Sequence, residues 1–242
     1  NKISIAYPQN LETKRYLNKV NVKNINFLGN IKFSENQNEN QNEINKKLKF
    51  ELNNKNVWTA SSTHQDEEIF CIKAHLELKK KVKNLLTIII PRHIHRVKEI
   101  ISEIKKLNLN FKLHSHAFKN LENTDIYIVD TFGETGKFHK LSSSVFLGGS
   151  IIKRGGQNPL EAARFGAKIL HGPNTDNFRE VYKLLKKLNI SKKISTPKQL
   201  ASSIIFIKKK QIGIKIKKIG KKILKKTINE LDNLINNEYK KT

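Results

Sequence analysis

The sequence predicts an α/β protein built on a doubly wound parallel sheet. Short apolar runs of strand length, such as 85–90 and 126–129, alternate with longer segments of helical periodicity along most of the 242 residues. Strands that alternate with helices imply parallel strands joined by crossovers, with both faces of the sheet covered. A glycine-rich connection after the apolar run 145–147 supplies the tight turns that such a fold needs between a strand and a helix.

The predicted elements divide the chain into two α/β parts. Residues 3–7 and 25–28 are predicted strands on either side of a helix near 11–20, so the chain opens midway through an α/β domain. The polar run Ser34–Asn45 predicts a linker or mobile loop. The second part has predicted strands at 57–60, 85–90, 111–114, 126–129, 145–147 and 168–170, and helices at 66–82, 93–107, 159–165 and 178–188. The predicted domain boundaries are 1–33, 34–53 (a linker and entry helix), 54–210 and 211–242.

The last of these segments is a basic amphipathic helix. Apolar residues recur at helical spacing through Ile212–Tyr239, with lysines on the opposite face. Such a helix can lie on an anionic membrane surface. It can equally pack its apolar stripe against the domain and leave its lysines in water. We favour packing, with membrane attraction as a secondary effect of the lysines.

The net charge of +26 suggests an anionic partner such as nucleic acid, membrane or phosphate. Lysine accounts for 41 of the 47 basic residues, and isoleucine and asparagine are also abundant, a pattern typical of an AT-rich genome. Five of the six arginines lie within or beside the candidate site segments described below: Arg92, Arg96, Arg154, Arg164 and Arg179. We therefore attribute most of the lysine excess to the composition of the genome and interpret the arginines as the residues that indicate a site for an anionic ligand.

Composition excludes several classes of protein. No run reaches transmembrane length, and the N-terminal residues indicate a strand rather than a signal peptide. The absence of methionine suggests a fragment that lacks its natural start. The single cysteine, Cys71, rules out an internal disulfide framework and is expected in the core.

The segment Gly148–Phe178 carries the most specific pattern. Two glycine pairs allow tight turns and close approach by a ligand, and Pro159, a residue favoured at the first helical position, opens a helix to about Phe165. A helix start after glycines is a ready anion site, and Glu161 in its first turn can accept hydrogen bonds from sugar hydroxyls. An ordinary βαβα unit with turn glycines is the alternative. Four glycines, Asn-Pro and a glutamate in one connection favour a nucleotide-sugar site.

Candidate ligand residues follow four predicted strands, in the segments Ser61–His64, Pro91-Arg92, Phe132-Gly133-Glu134 and Gly148–Glu161. In doubly wound sheets, ligands bind beyond the carboxyl ends of the strands. The planar fork of Arg92 suits a phosphate or carboxylate, although a salt bridge at a helix start is an equal alternative. For Glu134 the alternative is a solvated acid favoured by a helix dipole. Ser62 and His64 lack the third group of a nucleophile triad, so we expect a turn that caps the next helix or contacts ligand.

Four ordered blocks give the chain a resemblance to a known family. They are Gly29–Phe33, Ser61–His64 with Glu67-Glu68, Pro91–His93 with Arg96, and 148–178 preceded by Asp130–Gly136. Together they span roughly residues 1–190 and resemble the C-terminal part of the transferases of 3-deoxy-D-manno-octulosonic acid (Kdo), which move Kdo from CMP-Kdo onto lipid A precursor. The chain departs from the family pattern at Asp66, at Ile94-His95 and at Gln157.

The resemblance implies a glycosyltransferase B-type fold, in which residues 1–33 end an N-terminal acceptor domain and 54–210 bind the nucleotide sugar. It also implies a place at the cytoplasmic face of the bacterial inner membrane, and a catalytic base upstream of Asn1, so that this chain alone would transfer nothing. Lys32 would stabilise negative charge as CMP departs. The implied CMP contacts are Pro91, Arg92, Phe132, Gly133, Glu134, Asn158, Pro159, Leu160 and Glu161.

We expect no metal and no other cofactor, because the donor carries a single phosphate. The pairs His93/His95 and His114/His116 have i,i+2 spacing without cysteine partners, which is weak evidence for zinc. Two other functions stay open. One is a transferase or epimerase of the same fold that uses another nucleotide sugar. The other is a basic nucleic-acid-binding domain, favoured only by charge, and the aromatic content of 7% counts against it. The expected partners are therefore CMP-Kdo, lipid A precursor and an anionic membrane surface, without nucleic acid.

Overall fold

The computed structural model describes residues 3–34, 44–116 and 120–239. Contacts divide these residues into two compact units. The first, unit 1, contains residues 3–34 and 214–239, and the second, unit 2, contains the described residues from 44 to 213. Most of the predicted linker lies outside the described residues, and the four predicted domain segments stay a prediction.

Unit 2 is built on a parallel sheet of seven strands in the order β3-β4-β2-β1-β5-β6-β7. The chain starts at the central strand, β1, adds β2 beside it, places β3 at the edge and β4 between β2 and β3, and then crosses to the other side at β5. The predicted doubly wound α/β fold is therefore confirmed. The strands are β1 Asn56–Thr63, β2 Leu85–Pro91, β3 Phe111–Leu113, β4 Ile126–Ile128, β5 Ser144–Leu147, β6 Lys168–His171 and β7 Ser191–Lys193.

Nine α-helices occur among the described residues. They are α1 Leu11–Lys19, α2 Lys46–Asn53, α3 Glu67–Lys79, α4 Val97–Lys106, α5 Thr135–Leu141, α6 Leu160–Ala163, α7 Arg179–Lys187, α8 Pro197–Ser203 and α9 Lys210–Tyr239. The predicted helices and strands did not include α5, α8 or β7. The helix predicted from His93 begins instead as a 3-10 turn, Ile94–Arg96, and becomes α-helical at Val97.

Both faces of the sheet are covered, as the continuous apolar character of β2 requires. All seven residues of β2 are buried, and successive side chains of a strand point to opposite faces. Leu85 and Ile89 join a core that also contains residues of α3, α4 and α8. Leu86 and Ile88 join a second core with α2 and α5. Cys71 is fully buried in the first of these cores, as predicted.

Unit 1 contains less regular structure than the sequence predicts. The predicted strands 3–7 and 25–28 are wrong as strands, because the only pairing between them is a single parallel bridge, Ala6 to Ile25. The predicted tail helix is present as α9. Its Gly220 has no room for a Cβ, since the backbone carbonyl of Phe33 occupies that space, so α9 packs closely on the 3-10 turn Ile31–Ser34. Within the described residues, no helix combines the length and apolar character needed to cross a membrane.

Candidate functional site

Four sequence segments meet at one edge of the sheet because their strands are neighbours in it. β4, β2, β1 and β5 lie side by side, and all four run parallel. Backbone hydrogen bonds continue past the strand ends: Arg92 N–H donates to the Thr63 carbonyl, and Gly148 N–H donates to the Ser61 carbonyl, both at 2.9 Å. Three strand spacings cover roughly 14 Å, a width that suits a nucleotide. The strand order reverses between β1 and β5, where ligands of such sheets bind.

Arg92 and Phe132 present exposed side chains at this edge. Arg92 follows β2 directly, and among the described residues its guanidinium forms no hydrogen bond or ion pair. The alternative interpretation, a helix-start salt bridge, is wrong for Arg92 and right for Arg96, whose guanidinium contacts Glu68 at 2.8 Å. Phe132 is 84% exposed, and Gly133 beside it has φ +81° with open space around it. An exposed aromatic ring next to an open glycine is a surface on which a planar base can stack.

Glu134 is paired at this edge rather than solvated. It precedes α5, and its carboxylate accepts from Lys137 Nζ at 2.9 Å. His114 Nε2 lies 3.5 Å from the same carboxylate oxygen, Oε2. Burial lowers the pKa of His114, although the nearby Glu134 opposes that shift. The Glu134 carboxylate is therefore oriented by a fixed cation, and a ligand that bound it would have to share it with Lys137.

The backbone amides of the glycine turn after β5 already donate to a carboxylate of the protein itself, that of Glu67. Glu67 is fully buried. Its Oε2 accepts the N–H groups of Gly149 at 2.6 Å and His64 at 3.1 Å, while Oε1 accepts those of Ser150 at 3.0 Å and Ile151 at 2.9 Å. The amides of Gly149, Ser150 and Ile151 are therefore not available to a ligand anion, while the predicted anion site at the start of the helix at Pro159 stays a prediction. Residue spacing alone gave no sign of this contact.

The connection from the glycine turn to α6 is ordered by its own hydrogen bonds. Gly156 N–H donates to the Gly149 carbonyl at 2.9 Å, and the Asn158 side chain accepts from Leu160 N–H at 3.1 Å. The predicted helix 159–165 is only Leu160–Ala163, with Pro159 as its N-cap residue instead of its first helical residue. Leu160 is fully buried, and its carbonyl accepts from Arg164 N–H at 3.0 Å, so its predicted contact with CMP stays a prediction.

Glu161 lies beside His139, a residue that the sequence did not predict, and His139 in turn contacts Ser61 of the predicted segment Ser61–His64. The Glu161 side chain is 30% exposed, and its Oε2 lies 3.9 Å from Nδ1 of the buried His139. The other ring nitrogen, Nε2, lies 2.9 Å from Ser61 Oγ. Burial, and to a smaller extent Lys208, lower the pKa of His139 to about 4. A lone histidine in a short helix gave no signal in the sequence, because its partners lie 78 and 22 residues away.

The other histidines at this edge form ring contacts without a metal group. His64 lies with its ring centroid 5.7 Å from that of His93, which in turn stacks on His95 at 5.5 Å. Burial lowers the pKa of His64. Across residues 3–34, 44–116 and 120–239, no three His, Cys, Asp or Glu side chains gather into a group that could hold a metal ion. The His64 carbonyl accepts from Glu67 N–H at 3.0 Å, so the predicted turn does lead into α3.

Lys32 lies in unit 1, exposed on the 3-10 turn Ile31–Ser34, where its N–H donates to the Asn30 side chain at 3.0 Å. Its assignment as a transition-state stabiliser stays a prediction.

Two cavities open at the opposite, amino-terminal edge of the sheet. The larger, of about 490 Å³, is bordered by Lys55, Lys79, Asn110 and Asp125, and the smaller, of about 160 Å³, by Leu52, Asn56 and Phe206 among others. These two cavities therefore lie at the edge opposite to the candidate ligand groups. We place the candidate site at the carboxyl edge, because Arg92, Phe132 and Glu161 lie there and because the strand order reverses there.

The relatives that comparison with known proteins finds below share one name. No family model matches the chain. It is 33% identical over 186 residues to 3-deoxy-D-manno-octulosonic acid transferase of Haemophilus influenzae, covering 75% of this chain and 43% of that protein. It is likewise 33% identical over 218 residues to the Rickettsia prowazekii transferase, covering 89% of this chain and 47% of the relative. The chain spans less than half the length of these relatives.

A solved structure shares the fold. The crystal structure of the C-terminal CMP-Kdo binding domain of WaaA from Acinetobacter baumannii superposes with a TM-score of 0.59 at 24% sequence identity. The match covers 72% of this chain and 90% of that domain. At this level of identity the likeness supports the fold.

Proposed function

We propose, since this chain belongs to the Kdo transferase family as a C-terminal portion of it, that it binds CMP-Kdo and forms the donor-binding part of a glycosyltransferase. The acceptor in this proposal is a lipid A precursor, in the synthesis of lipopolysaccharide. The observation that carries the proposal is the meeting of exposed Arg92, exposed Phe132 and half-buried Glu161 at the switch point of a parallel sheet.

Each of these groups suits one part of the donor. The guanidinium of Arg92 can form two parallel hydrogen bonds to the phosphate or to the Kdo carboxylate. The Phe132 ring and the Gly133 backbone offer a flat surface to cytosine. Glu161 can accept hydrogen bonds from the two ribose hydroxyls. Because Glu67 occupies the turn amides, the negative charge of the donor falls to side chains, with Arg92 foremost.

The transfer step requires the protein to stabilise the leaving group as well as to bind the donor. When the bond between Kdo and the phosphate breaks, negative charge develops on the departing CMP, and a fixed cation near that charge lowers the barrier. We assign this role to Lys32 and the neutralisation of the phosphate to Arg92. A single phosphate needs less neutralisation than a diphosphate, so binding of CMP is expected to need no divalent metal.

The same proposal places the protein at the cytoplasmic face of the bacterial inner membrane, where a lipid A precursor would be met. The lysines of α9 would then face anionic lipid. This part is supported by the helix and its lysine content, with apolar residues such as Leu231 and Ile235 half exposed along it.

Isothermal titration calorimetry with CMP, UMP and AMP, each with and without EDTA, tests the donor. We expect CMP to bind most tightly and EDTA to leave its affinity unchanged. A preference for UMP or AMP would favour another nucleotide-sugar enzyme of the same fold. Loss of binding in EDTA would contradict the metal-free site.

A further inference from the structure

His139 stands between two parts of the candidate site without touching solvent. It lies on α5, the helix that begins just after Glu134, and is 2% exposed. Its Nε2 faces Ser61 Oγ at 2.9 Å, at the carboxyl end of β1. Its Nδ1 faces the Glu161 carboxylate at 3.9 Å. The imidazole therefore lies between Ser61, near the carboxyl end of β1, and the carboxylate of Glu161, which we assign to the ribose.

The ring is neutral at physiological pH, so it carries one proton for two nitrogens. Burial lowers the pKa of His139 to about 4, with a smaller contribution from Lys208. The Ser61 hydroxyl can donate to Nε2, which leaves the proton on Nδ1. This tautomer points an N–H at the negative Glu161 carboxylate, whereas the other would point a lone pair at it. Electrostatics therefore favour Nδ1–H toward Glu161.

Nδ1 is the unusual atom of this group. It is buried and, among the described residues, has no hydrogen-bond partner. A buried donor without a partner destabilises the folded protein. The separation of 3.9 Å exceeds a hydrogen bond by about 1 Å. Hydrogen bonds in ligand-free sites are often long and tighten when ligand binds.

The order Ser61, His139, Glu161 resembles a nucleophile triad, but the burial excludes that chemistry. Ser61 is fully buried, inside β1, and its hydroxyl cannot reach a substrate. A triad needs a nucleophile open to the reacting carbonyl. The group is therefore suited to holding a carboxylate in place.

We propose that His139 is a positioning residue that orients Glu161, through Nδ1–H, toward the ribose hydroxyls of the bound nucleotide. This inference rests on the proposed function, because it takes Glu161 as the ribose contact. On binding, the Glu161 carboxylate closes onto Nδ1, so that one oxygen accepts from the imidazole while the carboxylate accepts from the ribose. The buried donor then gains its partner only in the complex, which favours the bound state.

Two conservative variants separate this role from simple packing. In His139→Asn the side-chain amide nitrogen falls near the place of Nδ1, so a donor toward Glu161 is kept. In His139→Gln the amide nitrogen falls near the place of Nε2, so the contact with Ser61 is kept and the donor toward Glu161 is lost. The ligands are CMP and 2′,3′-dideoxy-CMP, which lacks both ribose hydroxyls, and calorimetry gives the ratio of their affinities.

We expect the wild-type protein to prefer CMP over the dideoxy ligand by on the order of tenfold or more. His139→Asn should keep most of this preference, and His139→Gln should lose most of it through weaker CMP binding, with the dideoxy ligand unaffected. In a Glu161→Ala background, His139→Gln should change the ratio no further. His75, another fully buried histidine, bonds to Thr87 away from this edge, so His75→Gln is the matched control and should leave the ratio unchanged.

The opposite pattern, with the preference kept in His139→Gln and lost in His139→Asn, would overturn the inference and assign His139 to the support of Ser61. Equal loss of both ligands in either variant would also overturn it. In both cases the proposed function would stand. A wild-type protein that binds the two ligands equally would overturn the assignment of Glu161 to the ribose, and this inference with it.

Discussion

The carboxylate of Glu67 accepts the backbone N–H of Gly149 at 2.6 Å, across 82 residues of sequence. Three further amides, those of His64, Ser150 and Ile151, complete its coordination. Successive amides that converge on one point form an anion-binding concavity. Here a side chain of α3 fills that concavity, so the glycine turn is a rigid support for the site instead of its phosphate cradle.

The first prediction concerns this support. In Glu67→Gln one carboxylate oxygen becomes an NH₂ group, which cannot accept from the two amides that it faces. Leaving buried donors unpaired should lower the free energy of unfolding by about 1–3 kcal/mol per unsatisfied group. Urea unfolding of both proteins gives the difference. The matched control is Glu77→Gln on the same helix, whose partner is an exposed lysine, and it should leave the free energy of unfolding almost unchanged because exposed ion pairs contribute little. Equal effects of the two changes would contradict the structural role of Glu67.

The second prediction concerns Arg92. Arg92→Lys keeps the charge but loses the planar fork, so CMP affinity should fall by roughly tenfold, the worth of a charged hydrogen bond. Calorimetry with CMP measures the change, and Arg15→Lys in unit 1 is the control. Unchanged affinity in Arg92→Lys would show that Arg92 acts only as a point charge or does not contact CMP.

The third prediction separates the site from the background charge. Changing Lys217 and Lys221 in α9 to Gln should weaken binding to anionic vesicles by about 1 kcal/mol for each lysine that lies near the lipid surface. CMP affinity should stay the same. The control removes two exposed lysines at the end of α4, Lys105 and Lys106. If that control weakens vesicle binding as strongly as the change in α9, the attraction is nonspecific.

The fourth prediction concerns pH. The pKa of His139 is about 4 in the folded protein, below its usual value of 6.5, because burial disfavours the charged form. Between pH 4 and 6.5 this histidine is protonated in the unfolded chain but stays neutral in the folded protein. The free energy of unfolding therefore falls as the pH decreases from 6.5 toward 4. This histidine alone should contribute a slope of up to about 1.4 kcal/mol per pH unit.

Urea unfolding at pH 7, 6 and 5 measures this slope in the wild-type protein and in His139→Gln. The variant should show a slope smaller by roughly one proton. His64, His114 and His171 also have lowered pKa values through burial, so a residual slope is expected in the variant. If the free energy of unfolding changed with pH equally in the two proteins, the lowered pKa of His139 would be contradicted.

Sequence patterns predicted the strands of unit 2 well, because apolar runs such as Leu85–Pro91 are buried on both faces and leave no ambiguity. They also placed Arg92, Phe132 and Glu161 at one edge, since parallel strands bring their carboxyl ends together. In unit 1 the same reasoning failed, since Ala6 and Ile25 form a bridge without neighbours to extend it.

The parts that sequence reasoning missed are contacts over long separations. A glutamate in a helix start is usually explained by the helix dipole, so nothing marked Glu67 as the partner of a turn 82 residues later. Nothing in the sequence marked His139 either, because a single buried histidine in a helix is a common core residue. Only the folded chain shows that Ser61 and Glu161 lie on either side of it.

Hydrogen–deuterium exchange with and without saturating CMP tests the placement of the site most directly. The account predicts slower exchange in peptides that cover residues 130–136 and 154–162, at the carboxyl edge of the sheet. Peptides around the amino-edge cavity, which contain Lys55, Asn84 and Asn123, should exchange at the same rate in both states. Slower exchange confined to the peptides of that cavity would contradict the assignment of the nucleotide to the carboxyl edge.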